Sequence, residues 1–326
     1  MLKRNLLIAA ITAGLSLPLL AQADDKLVLY TSQPNTDAQA TVDAFNAAYP
    51  EIEVEWVRDG TTKLMARLRA ELQSGASRAD LLLIADSVTM ESLKQDGYLQ
   101  PYLSGQREHY DVSLYEPQGY YYGTKLITTG IVRHQRAAEA PQSWADLAGT
   151  EYKGQVAMPS PLYSGAALIH LATLTSNPDL GWDYYQSLAD NETQAQGGNG
   201  GVLKAVASGN KPYGVIVDFL AIREAAKGSP IEFAFPTEGG SMVTEPVAIM
   251  KDAKNLDAAQ KFVDFVLSEK GQQLVRSQGY LPASDQVEPP EGFPARSEIK
   301  LMPFDAADAL ENAEANKARF SEIFGG

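Results

Sequence analysis

The 326-residue chain contains no cysteine. No disulfide can staple it, no thiolate can serve as nucleophile or metal ligand, and its stability must come from buried apolar surface. Histidine is nearly as scarce, and His109, His134 and His170 stand too far apart for the i,i+3 or i,i+4 pairs that a metal site or an activated nucleophile would use. Positive charge is in deficit, with 27 Lys and Arg against 41 Asp and Glu and a net charge of −14. A nucleic-acid binder needs a basic footprint, so no nucleic-acid partner is expected, and adhesion to anionic lipid is disfavoured. Beyond the first residues no run of eighteen apolar residues occurs, so the mature chain is expected to be soluble. The G-x-S-x-G, H-E-x-x-H and P-loop patterns are missing, and the glycines of residues 198–201 lack dinucleotide-fingerprint spacing. There is neither a fixed-period repeat nor a low-complexity tract.

What is present begins with Lys3-Arg4, a mostly apolar stretch over residues 6–20, and Ala21-Gln22-Ala23. A basic start, a short apolar region and a small-x-small site predict a secretory signal peptide over residues 1–23, cleaved after Ala23. Gly14, Ser16 and Pro18 interrupt the stretch, which falls short of the roughly 20 residues of a spanning helix. Loss of Lys3 and Arg4 with the leader takes the expected mature charge to −16. An anionic ligand must then be held by local hydrogen-bond donors against an unfavourable global field.

About 300 residues remain, more than one core usually organises, so two lobes are expected. Lys26-Leu27-Val28-Leu29-Tyr30 reads as a buried strand, and Val42, Phe45 and Tyr49 then recur at helical spacing. The same grammar repeats at residues 52–75 and 79–95, which predicts a parallel, helix-covered sheet. Residues 120–134 have β character without a helical face, as expected near a passage between lobes. Strand and helix signals alternate again from Pro141 to Val217, a second doubly wound unit. Residues 242–250 read as the return crossing, residues 256–279 as helical, and residues 305–324 as a final amphipathic helix.

Tyr98-Leu99-Gln100-Pro101-Tyr102, Pro141-Gln142-Ser143-Trp144-Ala145-Asp146-Leu147, Ser164-Gly165, and Lys251-Asp252-Ala253-Lys254-Asn255 with Phe262, Phe265, Leu267-Ser268 and Gly271-Gln272 resemble the extracellular solute-binding proteins of ABC transporters. Within them the chain looks most similar to the cluster of ferric-ion, hexose-phosphate and 2-aminoethylphosphonate binders. The resemblance implies an α/β, two-lobed periplasmic-binding-protein fold of type II, each lobe a mostly parallel sheet flanked by helices. It implies an N-lobe over residues 24–127 plus 247–285 and a C-lobe over 128–246 plus 286–326, with crossings near 124–130 and 243–248. It also implies a monomeric, non-enzymatic periplasmic receptor with no cofactor and an inner-membrane ABC permease as partner. Ferric members resemble one another in a Tyr-Tyr dyad after the strand that here reads Tyr213-Gly214-Val215-Ile216-Val217. This chain has Asp218-Phe219-Leu220-Ala221 there, which counts against metal binding, since ferric iron wants phenolate and carboxylate oxygens.

In open α/β sheets, ligands sit beyond the carboxyl ends of strands, where helix N-termini present free N–H groups. Those ends carry Ser32, Gln33, Gly60, Thr61, Thr62, Asp86 and Ser87 in the first lobe, and Ser164, Gly165, Asn199 and Gly200 in the second. Thr61, Thr62 and Ser164 read equally as ordinary N-caps. Of the acids near these edges, Asp59, Asp86, Asp218, Glu238 and Glu245, Asp218 is the first choice to neutralise a ligand ammonium, its plain alternative being a cap for the helix from Phe219. Tyr30, Tyr121, Tyr163 and Tyr213 are candidate aromatic walls. The expected ligand is a small phosphorus oxyanion, preferably 2-aminoethylphosphonate. A hexose phosphate and ferric iron with a synergistic anion are its alternatives; a secreted hydrolase using paired carboxylates is the reading from another class.

Overall fold

A computed structural model of the chain describes residues 25–325; the expected leader lies outside them. The chain runs β1 (Asp25–Thr31), α1 (Asn35–Ala48), β2 (Ile52–Arg58), α2 (Thr61–Gln73), β3 (Leu81–Leu83), α3 (Ser87–Gln95), β4 (Leu99–Gln100), β5 (Tyr122–Gly123) and β6 (Lys125–His134). It continues through α4 (Trp144–Leu147), β7 (Val156–Met158), α5 (Gly165–Thr175), α6 (Gly181–Asp190), β8 (Gln194–Ala195), α7 (Asn199–Ala207), β9 (Tyr213–Val217), α8 (Asp218–Ala226), β10 (Ile231–Ala234) and β11 (Met242–Val243). The last elements are β12 (Pro246–Met250), α9 (Leu256–Leu267), α10 (Glu269–Ser277), β13 (Leu281–Pro282) and α11 (Ala306–Phe324).

Two sheets result. The first has the order β2-β1-β3-β12-β4, with β5 on β12; the second has β10-β6-β9-β7-β8, with β11 and β13 on β6. β1 pairs in parallel with β2 and β3, and β7 in parallel with β8 and β9, whereas the crossing strands β12 and β6 join their sheets antiparallel. A strand that returns from the other lobe enters from the opposite end, so each sheet combines a parallel ladder with one reversed member.

Why the strands are helix-covered is visible in β1. Alternation sends Leu27 and Leu29 into the cluster around Phe45, Phe262 and Phe265, and Val28 and Tyr30 into the cluster around Leu64, Leu68 and Met90. Both faces of the strand are buried, as a parallel sheet flanked by helices requires. The helical stretch expected as one run over residues 256–279 is two helices. Ser268 ends α9 in extended backbone and caps α10, accepting from Gly271 N at 3.2 Å.

Three segments meet at the junction of the sheets. Thr124 N and Lys125 N donate to Thr244 O at 3.0 and 3.3 Å, and Thr124 Oγ1 donates to Glu245 O at 2.9 Å. The fully buried Gln272 ties in the third segment: its Nε2 donates to Thr124 O at 2.8 Å, and its Oε1 accepts from Ala283 N and Ser284 N at 2.7 and 3.1 Å. α11 packs on α5 and α6 of the second unit and also on α3 of the first.

Candidate functional site

A cavity of about 420 Å³ opens between the two units at the carboxyl ends of their strands. Among the helices that begin at its wall are α2, α5 and α7, and each of these starts has its own local cause. Gly60 precedes α2, with its N–H held by Asp59 Oδ1 at 2.8 Å. Ser164 caps α5 through Ala167 N at 3.3 Å. Gly198 precedes α7 in extended backbone, without a side-chain cap. Asn199 fastens two of these elements together, its Oδ1 accepting from Val217 N at 3.1 Å and its Nδ2 donating to Ser164 Oγ at 3.3 Å. The first-turn amides of a helix have no carbonyl within the helix to donate to, and they carry the positive end of its dipole. Three such ends around one cavity make a site for negative charge.

Side chains complete the wall. Arg58, exposed at the end of β2, donates its Nε to Gln33 O at 2.9 Å and is one of the residues that line the cavity. Ser32 Oγ accepts from Ala85 N at 2.9 Å. The deep side is hydrocarbon and aromatic: Ile127, Val217, Phe219, Leu220 and Tyr280. Glu245 lies among them, 2 % exposed, in an ion pair with Lys125 whose Nζ stands 2.6 Å from Oε2. Gln33 Nε2 donates to the same oxygen at 3.2 Å, and Lys125 Nζ sits 4.1 Å above the Tyr280 ring centroid. Glu245 has φ +40°, a left-handed conformation unusual for a residue with a side chain.

The two units touch at the rim. The Tyr163 ring lies against Gly60 of the first unit and Gly198 of the second, where added Cβ atoms would stand 3.1 and 3.0 Å from it. A Cβ on Gly165 would fall 2.6 Å from Ala85 O and 3.0 Å from Thr61 Cγ2. Glycine at 165 is therefore what lets α5 approach the first unit so closely.

Of the residues expected from sequence, Ser32, Gly60, Thr61, Ser164, Asn199 and Gly200 line this one cavity; Gln33, Thr62, Asp86, Ser87, Gly165 and Asp218 are not part of its lining. Gln33 stands behind Glu245. Asp86 caps α3, accepting from Thr89 N at 3.0 Å and from the Thr89 hydroxyl, and burial pushes its carboxyl above the usual range. Thr62 and Ser87 are partly buried in the first turns of α2 and α3. Asp218 takes neither expected role in full: it is the first residue of α8, whose N-cap is Val217, and it ties that helix start to β6. Its Oδ1 accepts from Phe219 N at 2.6 Å, and its Oδ2 accepts from Thr128 N and Oγ1 at 2.9 and 2.7 Å. Desolvation pushes that carboxyl up to about 7. Both of its oxygens are engaged by α8 and β6 and it does not line the cavity, so the cavity carboxylate is Glu245 instead.

Among the aromatic candidates, Tyr163 lines the cavity. Tyr30 and Tyr121 donate to Glu71 and Glu91, and Tyr213 packs edge-on against Tyr152. Asp59 pairs with Lys63, and Glu238 accepts from Ala145 N. Sequence reasoning missed Arg58 and Tyr280. Arg58 adjoins the Asp59-Gly60 turn and was open to the same strand-end logic; Tyr280 follows α10 with no local signal of a site.

A cavity between two α/β units joined by crossing segments, with helix starts at its wall, is the architecture of a receptor that takes up a small solute. Residues 77–312 match the bacterial extracellular solute-binding protein family, and the chain belongs to that family. A protein of uncharacterised function from Haemophilus influenzae is 29% identical over 287 residues, covering 83% of this chain and 81% of that one. The Fe(3+)-binding periplasmic protein of Serratia marcescens is 25% identical over 317 residues, covering 93% and 90%. Among solved structures, the periplasmic binding protein AfuA of Actinobacillus pleuropneumoniae, with fructose-6-phosphate bound, superposes with a TM-score of 0.83 at 22% identity, covering 92% of this chain and 98% of that one. The fold is that of type II periplasmic binding proteins. The chain is a periplasmic solute receptor and not an enzyme.

Proposed function

We propose that the protein is the substrate-binding component of an ABC importer and that it captures a small phosphorus oxyanion, 2-aminoethylphosphonate before others. The observation that carries this reading is the meeting of the α2, α5 and α7 starts with Arg58 at one cavity. Tetrahedral oxyanions match amides at helix N-termini, and a guanidinium adds a charge-assisted, two-pronged donor. The amino end of the ligand faces Glu245. Lys125 and Gln33 both approach Oε2, so Oε1 is the oxygen to accept from a ligand ammonium. Ferric iron is a poor match, because Phe219 and Leu220 bring hydrocarbon to the wall where phenolate oxygens are needed. A hexose phosphate is the second reading, favoured by the sugar phosphate bound in the AfuA structure.

Binding shifts an equilibrium between open and closed arrangements of the two lobes, which we divide at the junction near residues 124–130 and 243–248. The receptor acts as an exported monomer, freed of its leader after Ala23, and the closed form is what an inner-membrane permease recognises. The test is a thermal-shift panel of 2-aminoethylphosphonate, phosphate, glucose 6-phosphate and ferric citrate, since a ligand that binds the folded state raises the midpoint with its occupancy. The phosphonate should give the largest shift. A shift with ferric citrate alone, accompanied by a visible absorbance band, ends the oxyanion reading.

A further inference from the structure

Behind the cavity wall lies a polar group that joins the two units without lining the cavity. Asp37 is on α1, packed on the first sheet; Arg223 is on α8, packed on the second. Arg223 Nη1 and Nη2 stand 3.1 and 3.3 Å from Asp37 Oδ2. The same oxygen accepts from the Tyr280 hydroxyl at 2.5 Å, and Gln278 Nε2 donates to Asp37 O at 3.1 Å. Arg223 also donates to Gln278 O, and its side chain packs on Gly279, where a Cβ would stand 2.8 Å from Cδ. Its guanidinium lies over the rings of Phe219 and Tyr280, at 4.9 and 5.3 Å from their centroids, and those rings pack tilted at 39° with centroids 4.3 Å apart. Phe219 and Tyr280 are two of the residues that form the deep wall.

We propose that Asp37 and Arg223 are positioning residues: their ion pair forms as the lobes close, and through Phe219 and Tyr280 it couples the shape of the cavity wall to closure. The inference rests on the lobe-closure reading above. Asp37 is only 6 % exposed in this structure, so removing its cation here strands a buried charge. In an open arrangement water solvates the carboxylate, and the same substitution costs little. Neutralising either partner therefore penalises closure selectively.

The chain has no cysteine of its own, so spin labels at Ala70→Cys on α2 and Ser208→Cys after α7 report the distance between lobes uniquely. Distance distributions are recorded for the wild type, Arg223→Gln, Asp37→Asn and the double variant, free and with saturating 2-aminoethylphosphonate. The expected result is a short-distance population whose ratio to the open one falls about tenfold or more in each single variant, with the double variant no worse than either single one. Unchanged distributions overturn the proposal, as does loss of thermal stability with distances intact. A wild type that binds 2-aminoethylphosphonate in calorimetry and still never shows the short distance overturns it too. If 2-aminoethylphosphonate moves nothing in the wild type, the ligand assignment fails, while the comparison of free variants still judges the latch.

Discussion

At the scale of single residues, the site turns on which buried carboxylate faces the solute. On the proposed reading Glu245 takes that role in place of Asp218, because Glu245 lines the cavity and Asp218 already accepts three hydrogen bonds from its own unit. A hydrogen bond to a charged group contributes about 1.5–3 kcal/mol, so Glu245→Gln should weaken 2-aminoethylphosphonate by about 10- to 100-fold. The change also leaves Lys125 buried without its partner, so Lys125→Met is combined with it to remove the orphan cation. Ethylphosphonate, which lacks the amine, is the control in calorimetry. If both ligands weaken equally, Glu245 does not read the ammonium. Asp218 carries a different expectation. An unfolded aspartate titrates near 3.9, whereas burial raises this carboxyl to about 7. Between those values the folded state keeps a proton that the unfolded state releases. The stability from this group is thus greatest below pH ~4 and falls as pH rises toward 7, by up to about 4 kcal/mol. Thermal midpoints of the wild type and Asp218→Asn, followed from pH 5 to pH 8, should diverge in slope, the wild type declining more steeply. Parallel profiles would show that Asp218 stays ionised throughout.

At the scale of elements, closure depends on how near one helix start can come to the opposite unit. Gly165 opens α5, and alanine there would place its Cβ 2.6 Å from Ala85 O. Overpacking of that kind costs about 1–3 kcal/mol and falls on the closed form alone, while alanine is the better helix former in the free protein. Gly165→Ala should therefore lower affinity by about tenfold or more and leave the unliganded midpoint unchanged or slightly higher. A variant that binds as tightly as the wild type would mean that this contact has no part in closure. The same scale shows what could be read from sequence. Strand ends followed by helix starts were legible because β1 and β2 and their helices carry readable apolar patterns, and that logic brought Thr61 to the same cavity as Ser164 and Asn199, each more than a hundred residues further along the chain. It failed where an element is too short to have a period. β13 is two residues long, yet it brings Tyr280 to the wall and a third segment to the junction. It also failed at the orientation of Asp218, because the end of a strand does not reveal which of two neighbours its first helical side chain will meet.

At the scale of the whole molecule, a chain proposed to take up an anion carries a net charge of −14. The two facts are compatible because they act over different distances. Helix-terminal amides and Arg58 work at contact, where the donors hold the ligand after arrival. The surplus of carboxylates acts on approach, over a Debye length of about 30 Å at 0.01 M salt and about 10 Å at 0.1 M. An oxyanion is repelled on the way in and gripped once inside. Its association rate should accordingly rise, by about twofold or more, as salt increases across that range, with the dissociation rate changing much less. This is the reverse of electrostatic steering, in which salt slows association. Stopped-flow fluorescence with 2-aminoethylphosphonate separates the two rates, with Trp56, half-buried at the end of β2, among the native reporters. A cationic ligand would show the opposite salt dependence, so an association rate that falls with salt would remove the anion from the centre of the site.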